Sequence, residues 1–503
     1  MLNRRELLAS LAAPAFVRHV NAADVPRFGL GIASGQPQAT SLVLWTRLSG
    51  DDLPAQVGVQ WELAEDEAFT RVAAKGQELA VVQDAHCVHA EPSGLQAERR
   101  YFYRFTALGQ RSAAGRTRTA PAPDASVQRL DYAIASCQRY DHGHYAAWRH
   151  AAADDKLDLV MFLGDYIYEY GPAPLPVRPL RSGRVKTLED YRARYALTKS
   201  DPDLQAAHAA CPWLLVWDDH EVENDYAGLQ GEFLQADFAE QLASAYQAYW
   251  EHMPMPKASR PQRGKMRMYG RLDWGRLARI HLLDDRQMRD IQVCPKPGRG
   301  GSNHVRVADC PELLDPRRTL LGAAQERWLA EGWSLDRPWN LLAQQTLMAR
   351  FSTRHAASST RGGRYWTDGW DGYPAARQRL LSTVADKRVP GVVVLGGDIH
   401  ANVVADLKPD SDDAKSPLVA SEFCGTSITS QGTSQSEADA ARAFNPHVHY
   451  ARRDERGYMR FSLDREKLRV ELKVLDDVRD VNSAIQTAAR FAVEAARPGV
   501  QRG

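Results

Sequence analysis

The sequence predicts an α/β (α+β) protein in which a small β-sandwich precedes a larger domain of alternating strands and helices. Two observations carry this reading. Between Arg27 and about Thr119, apolar residues alternate at period two in short segments separated by Gly, Pro and Asp, as half-buried strands require. After Ala120-Pro121-Ala122-Pro123-Asp124, apolar runs of strand length alternate with longer helical patterns, the signature of an α/β domain. A chain of 503 residues is also too long for one ordinary core.

Residues 1–23 read as an export signal: Arg4-Arg5, a short apolar stretch to Ala13, then small Ala22 and Ala23. The paired arginines suggest the twin-arginine route, which makes that machinery an expected partner and places the product in the periplasm or outside the cell. Over 24–120, segments such as Ser41–Thr46, Val57–Leu63 and Tyr101–Phe105 supply the strands of a fibronectin- or immunoglobulin-like sandwich. The α/β domain then occupies 125–503. Within it Leu242, Ala245, Tyr246, Tyr249 and Trp250 form the buried face of a helix. Residues 483–496 read as a C-terminal amphipathic helix with Ser483 as its N-cap.

Composition excludes some functions. A formal net charge of +1 gives the whole protein no electrostatic claim on nucleic acid. The absence of any run of 18 apolar residues excludes an ordinary transmembrane helix. Six cysteines are too few for a disulfide scaffold. Cys294 and Cys310 nevertheless flank a loop rich in Gly, Pro and Asn and are a candidate disulfide, whereas Cys87, Cys211 and Cys424 read as buried thiols.

The α/β strands end in a consistent way. Tyr132–Ala135 runs into Ser136-Cys137, Leu159–Leu163 into Gly164-Asp165, and Trp213–Trp217 into Asp218-Asp219-His220. Ile280–Leu283 runs into Asp284-Asp285-Arg286, and Val392–Leu395 into Gly396-Gly397-Asp398-Ile399-His400. One strand ending in Asp means little, because Asp is a common turn residue. Five ends carrying Cys, Asp, His or Arg, at the sheet edge where open α/β sheets bind ligands, point to a metal site. Asp165, Asp219, Asp398 and His400 offer hard oxygen and imidazole donors, and Tyr168 follows Asp165 at a spacing that could bring the phenol to the same ion. Free tyrosine titrates at about 10, so a phenolate ligand needs a strong Lewis acid such as ferric iron.

These motifs resemble the calcineurin-like metallophosphoesterases, the purple acid phosphatases among them, and most closely the PhoD-type alkaline phosphatases. The resemblance rests on Ala135-Ser136-Cys137, Phe162–Glu169, Trp217–Asn224, Gly396–His400 and Glu422–Thr429. It implies a four-layer metallophosphoesterase sandwich and an exported phosphoesterase, acting on monoesters and diesters through a metal-bound hydroxide. It further implies ferric iron on Cys137, Asp165, Tyr168 and His400, with Asp165 bridging to one or two calcium ions. Asp398 and either Asp219 or Asn224 would complete the calcium site, and His220 would stand near the leaving group, so that Asp165 and His220 carry the catalytic roles.

Other residues admit blander readings. Asp218 is expected to orient its neighbours; Arg286 could contact phosphate or pair with a nearby Asp; His142, His144 and His150 are rim or surface residues. Two rival functions stand beside the phosphatase: a phosphodiesterase or phospholipase D-like hydrolase of the same fold, and a non-enzymatic extracellular binding protein.

Overall fold

The structure is a computed structural model that describes residues 26–352, 363–411 and 413–503. The expected export signal at 1–23 lies outside the described residues.

Two large sheets organise the chain. The first has ten strands, in spatial order Arg497–Arg502, Ile485–Glu494, Lys467–Leu475, Gly457–Asp464, Arg129–Ala135, Leu159–Leu163, Trp213–Val216, Ile32–Gly35, Val43–Arg47 and Cys87–Ala90. The second has seven: Gly270–Trp274, Ala278–Leu282, Trp339–Ala343, Val392–Gly396, Ala420–Cys424, Asn402–Leu407 and Val448–Arg452. Their central strands run parallel, and Leu159–Leu163, Trp339–Ala343 and Val392–Gly396 are buried throughout. Burial on both faces is why these segments read as unbroken apolar runs.

Alternate residues divide between cores, as the period-two pleat demands. Tyr132, Ile134, Met161 and Leu214 of the first sheet share a cluster with Ile280, Leu341, Val393 and Phe423 of the second. Ala133, Val160, Phe162 and Leu215 point the other way, towards Tyr191, Tyr195, Leu242 and Tyr246 on helices Leu188–Lys199 and Phe238–His252. Leu342, Val392 and Val394 likewise meet Leu329, Leu380 and Val384 on helices Gly322–Gly332 and Pro374–Lys387. The expected buried face of the helix around Leu242–Trp250 is therefore observed.

The amino-terminal sandwich is present and joins the larger sheet. Its outer sheet orders Val72–Val81, Gln56–Ala64, Arg100–Ala107 and Gln110–Arg111, with Gly115–Arg118 paired to Arg100–Ala107. Across a core of Leu44, Val59, Trp61, Val88, Tyr103 and Phe105 it faces strands that belong to the ten-stranded sheet. The joint is the parallel pairing of Gly35 with Trp213.

The C-terminal segment corrects an expectation. Residues 485–494 form a strand, paired with Lys467–Leu475 so that Phe491 faces Val470, and not the helix expected over 483–496. A run of alanines supplied a helical pattern, but Ala489, Phe491 and Val493 project at period two into the inter-sheet core. Strand pairing and burial override the local propensity of alanine. Ser483 caps no helix; its hydroxyl accepts from the backbone N–H of Asp477 at 3.0 Å. Cys294 and Cys310 form the expected disulfide, and the other four cysteines are free and buried.

A Cβ on Gly35 would lie 2.7 Å from the Pro254 carbonyl oxygen and 2.8 Å from that of Trp213. Gly35→Val is therefore expected to lower stability by about 2 kcal/mol or more, as overpacking does; urea denaturation measures it.

Candidate metal centre

Both sheets deliver their chemistry at the carboxyl ends of their parallel strands. Arg129–Ala135, Leu159–Leu163 and Trp213–Val216 lead into Cys137, Asp165 and Asp218-Asp219-His220; Val392–Gly396 of the second sheet leads into Asp398 and His400. Four of these residues hold left-handed backbone: Cys137 at φ +58°, Asp165 at +59°, Asp398 at +66° and His400 at +51°. Each such turn costs a non-glycine residue on the order of 1 kcal/mol or more, a strain that clusters at functional sites. Gly164, at φ +107°, permits the turn at Asp165: a Cβ there would stand 2.3 Å from the Cβ of Asp218.

The turns bring distant side chains together. Cys137, Asp165 and His400 offer ligand atoms that all lie within 4.8 Å of one another. The Tyr168 hydroxyl donates to Asp165 Oδ2 at 2.8 Å and lies 3.0 Å from His400 Nε2. Asp165 also belongs to a second group with Asp218, Asp219 and Asp398, again within 4.8 Å. Asp165 is thus common to a thiol–phenol–imidazole set and to an all-carboxylate set.

Supporting bonds fix the donors. His400 Nδ1 bonds the Gln431 carbonyl at 2.8 Å, which leaves Nε2 for the centre, the usual way an outer partner orients a ligating histidine. Thr346 Oγ1 donates to Asp398 Oδ2 at 2.6 Å, and Ser430 Oγ donates to the Tyr168 oxygen at 2.8 Å. Glu221 accepts from the backbone N–H of Asp165 at 3.0 Å, Tyr166 at 2.6 Å and Asp218 at 2.8 Å, tying two strand ends together. His220 Nδ1 lies 2.7 Å from Glu169 Oε2.

Electrostatics fit a cation. Asp219 Oδ1 is buried without a hydrogen-bond partner, a situation that costs free energy unless something positive compensates. Burial pushes Asp165 up to about 7 and raises Asp398 and Asp218 as well. It raises the Cys137 thiol and the Tyr168 phenol too, with the Asp165 charge adding to both. Burial acts the same way on Asp219, but Arg286 and His220 outweigh it and hold that carboxyl below the usual range. His220 is raised because Asp219, Glu169 and Asp165 overcome its burial, while burial holds His400 down to about 3. The mixed donor set suits iron or another transition ion, and the carboxylates suit a hard divalent ion.

The sequence profile of PhoD-like phosphatases matches residues 132–472, and that of the PhoD-like phosphatase N-terminal domain matches 12–121. The chain belongs to the PhoD-like phosphatase family. It is 41% identical over 493 residues to alkaline phosphatase D of Bacillus subtilis (strain 168), spanning 94% of this chain and 82% of that one. A solved structure of PhoD matches with a TM-score of 0.89 at 40% identity, over 95% of this chain and 92% of that chain. As a PhoD-like phosphatase the protein is a phosphoric ester hydrolase, which removes the reading as a non-enzymatic binding protein.

In this PhoD-like phosphatase the remaining sequence candidates fall out as follows. Asn224 lines the same cavity as Asp219, His220, Asp398 and His400, and its backbone N–H donates to Glu169 at 3.1 Å. Arg286 is not available to phosphate. Its side chain is 1% exposed, with Nη1 donating to Asp368 at 2.9 and 3.0 Å, Nε donating to Asp218, and Nη2 3.7 Å from Asp219. Asp284 accepts from the Trp217 indole at 3.3 Å, and Asp285 from the Gln345 backbone at 3.4 Å, so both serve the interior. His142 Nδ1 accepts from the Gln431 N–H at 3.1 Å, behind His400, and His150 bonds the Ser483 carbonyl at 2.9 Å. Sequence reasoning missed Glu169, Glu221, Thr346 and Ser430. Glu169 and Glu221 stood inside the quoted motifs, where their acidity beside candidate ligands was the available signal.

Arg286→Met leaves Asp218 and Asp368 buried with less countercharge, so it is expected to cost roughly 3–5 kcal/mol. Arg286→Lys should fail to restore it, because one ammonium cannot reproduce the fork; chemical denaturation checks both. The carboxyl of Asp165, like Asp285 at about 7 and Glu221 at about 8, binds its proton more tightly folded than unfolded. In metal-free protein that stabilisation is complete below the unfolded values near 4 and is lost as pH rises through about 7 to 8. Melting temperature in chelator should therefore fall between pH 5 and 8, and added divalent or ferric ion should flatten the fall.

Proposed function

We propose that the protein is an exported alkaline phosphatase that hydrolyses phosphate monoesters, and diesters as well, at the centre built around Asp165. The observation that carries this is the sharing of one carboxylate between two ligand groups drawn from both sheets. Cys137, Asp165, Tyr168 and His400 would hold ferric iron, and Asp165, Asp219 and Asp398, with Asn224 at the rim, would hold calcium. Bound there, such cations offset the charge of the phosphate and make water a better nucleophile near neutral pH.

The chain's own groups do the rest. His220 lines the cavity with Nδ1 held by Glu169, so Nε2 is the atom that delivers a proton to the departing alkoxide. Burial lowers its affinity for a proton, and the neighbouring Asp219, Glu169 and Asp165 raise it more than burial lowers it. Ser430 Oγ, donating to the Tyr168 oxygen, favours the phenolate. Thr346 fixes Asp398, and Glu221 locks the two turns that carry Asp165 and Asp218.

Two further points belong to this reading. Helices packed outside two face-packed sheets support the four-layer metallophosphoesterase sandwich. Arg4-Arg5 and the Cys294–Cys310 disulfide support export by the twin-arginine route, since disulfides persist in oxidising compartments.

Purified protein should contain iron and calcium and absorb visible light through tyrosinate-to-iron charge transfer. Asp165→Asn should lose metal and lower p-nitrophenyl phosphate hydrolysis by at least about 1,000-fold, of the order seen when a main electrostatic group is removed. Full activity in a metal-free Asp165→Asn protein would refute the proposal.

A further inference from the structure

The cavity over the centre is much larger than its chemistry requires. It has a volume of about 820 Å³, enough for a sizeable organic molecule and far more than a phosphate group occupies. Asp219, His220, Asn224, Asp398 and His400 form one side. The rest of the lining mixes apolar Leu347, Phe351, Trp366, Ala441 and Phe444 with charged His304, Arg364, Glu437 and Arg453. Phe351, Trp366 and Phe444 are only partly buried, so three aromatic rings face the open cavity in the protein alone. Aromatic surface gathered beside charged ligands is costly to leave wet and is the ordinary mark of a ligand contact.

This wall is built firmly. Thr346, bonded to Asp398, is followed directly by Leu347, so the wall begins next to the acidic group. The backbone N–H groups of Met348 and Ala349 donate to the buried Glu422 carboxyl at 2.6 and 2.7 Å, and that of Phe351 to Asp371 at 2.9 Å. Asn445, fully buried, accepts from the Ser352 N–H at 3.1 Å and donates to the carbonyls of Ser352 at 2.9 Å and Ala441 at 2.8 Å. One amide thus clamps the segment bearing Phe351 to the helix end bearing Ala441 and Phe444. Trp366 is held on the short strand Arg364–Trp366, paired with His304–Arg306. A surface fixed from so many sides is preorganised for a partner.

We propose that Leu347, Phe351, Trp366, Ala441 and Phe444 form the subsite for the alcohol portion of the ester. The subsite selects phosphate esters of long-chain alkyl or aryl alcohols over those of small polar alcohols. This rests on the phosphoesterase reading and adds the substrate class to it. Phe351 and Phe444 are specificity-determining residues: they touch the part of the substrate that does not react, so their contribution falls mainly on binding.

The test is kcat/KM for metal-loaded full-length enzyme on ethyl, butyl, hexyl and octyl phosphate, each below its micelle concentration. These esters differ little in intrinsic reactivity. Each methylene taken from water strengthens binding by roughly fourfold at most. Hexyl phosphate should therefore exceed ethyl phosphate about tenfold or more, with the gain in KM and little change in kcat. Phe444→Ala should cut the hexyl-to-ethyl ratio about fivefold, Phe444→Leu should keep most of it, and Phe351→Ala should act like Phe444→Ala. A flat series, or a preference untouched by both alanine variants, would overturn the subsite. Failure to release phosphate from any ester, ethyl phosphate included, would instead remove the phosphoesterase reading and the subsite with it.

Discussion

Four aspartates, Asp165, Asp218, Asp219 and Asp398, place carboxyl oxygens within 4.8 Å of one another inside the protein. Two ionised carboxylates at that separation repel by roughly 3 kcal/mol even at an effective dielectric of about 20, and every pair adds its share. Much of the surrounding structure reads as an answer to that crowding. Arg286 and Arg289 sit behind the group and share Asp368, His220 is held beside it by Glu169, and the open side faces the cavity. Protons can satisfy such a cluster, as the raised affinity of Asp165 and Asp398 indicates, but cations satisfy it better and suit the neighbouring thiol, phenol and imidazole.

The backbone accepts strain to make the crowding possible. Cys137, Asp165, Asp398 and His400 follow their strands in left-handed backbone, and their side chains converge from both sheets. Glu221, reaching three backbone N–H groups, and Gly164, pressed against Asp218, hold the turns of adjacent strands in one arrangement. The candidate ligands are thereby held on short turns anchored to the strand ends.

Much of this was legible in the sequence because the candidate ligands sit directly after apolar runs, where one sequence pattern reports both strand and site. Cys137, Asp165, Asp219, Asp398 and His400 were picked out as candidates that way, the resemblance selected Tyr168 among three nearby tyrosines, and the structure brings these side chains together. Arg286 followed the same pattern and was ambiguous, since a strand end does not tell whether a guanidinium points to the cavity or into the core. Thr346 and Ser430 were invisible because an isolated hydroxyl residue carries no signal until its partner is known. The C-terminal strand was misread because Ala488, Ala489 and Ala492 mask its alternation, and its pairing partner lies in another segment. The sandwich was visible from alternation, but its fusion with the larger sheet depends on a contact between Gly35 and Trp213, 178 positions apart, which local pattern does not report.

That fusion makes the polypeptide one mechanical object. Gly35 and Gln36, from the first hundred residues, pair with Trp213 at the start of the Trp213–Val216 edge, which would otherwise present bare backbone groups there to any passing chain. A cut in the Ala120–Asp124 connector would leave the two fragments still hydrogen-bonded in one layer through Gly35, Gln36 and Trp213.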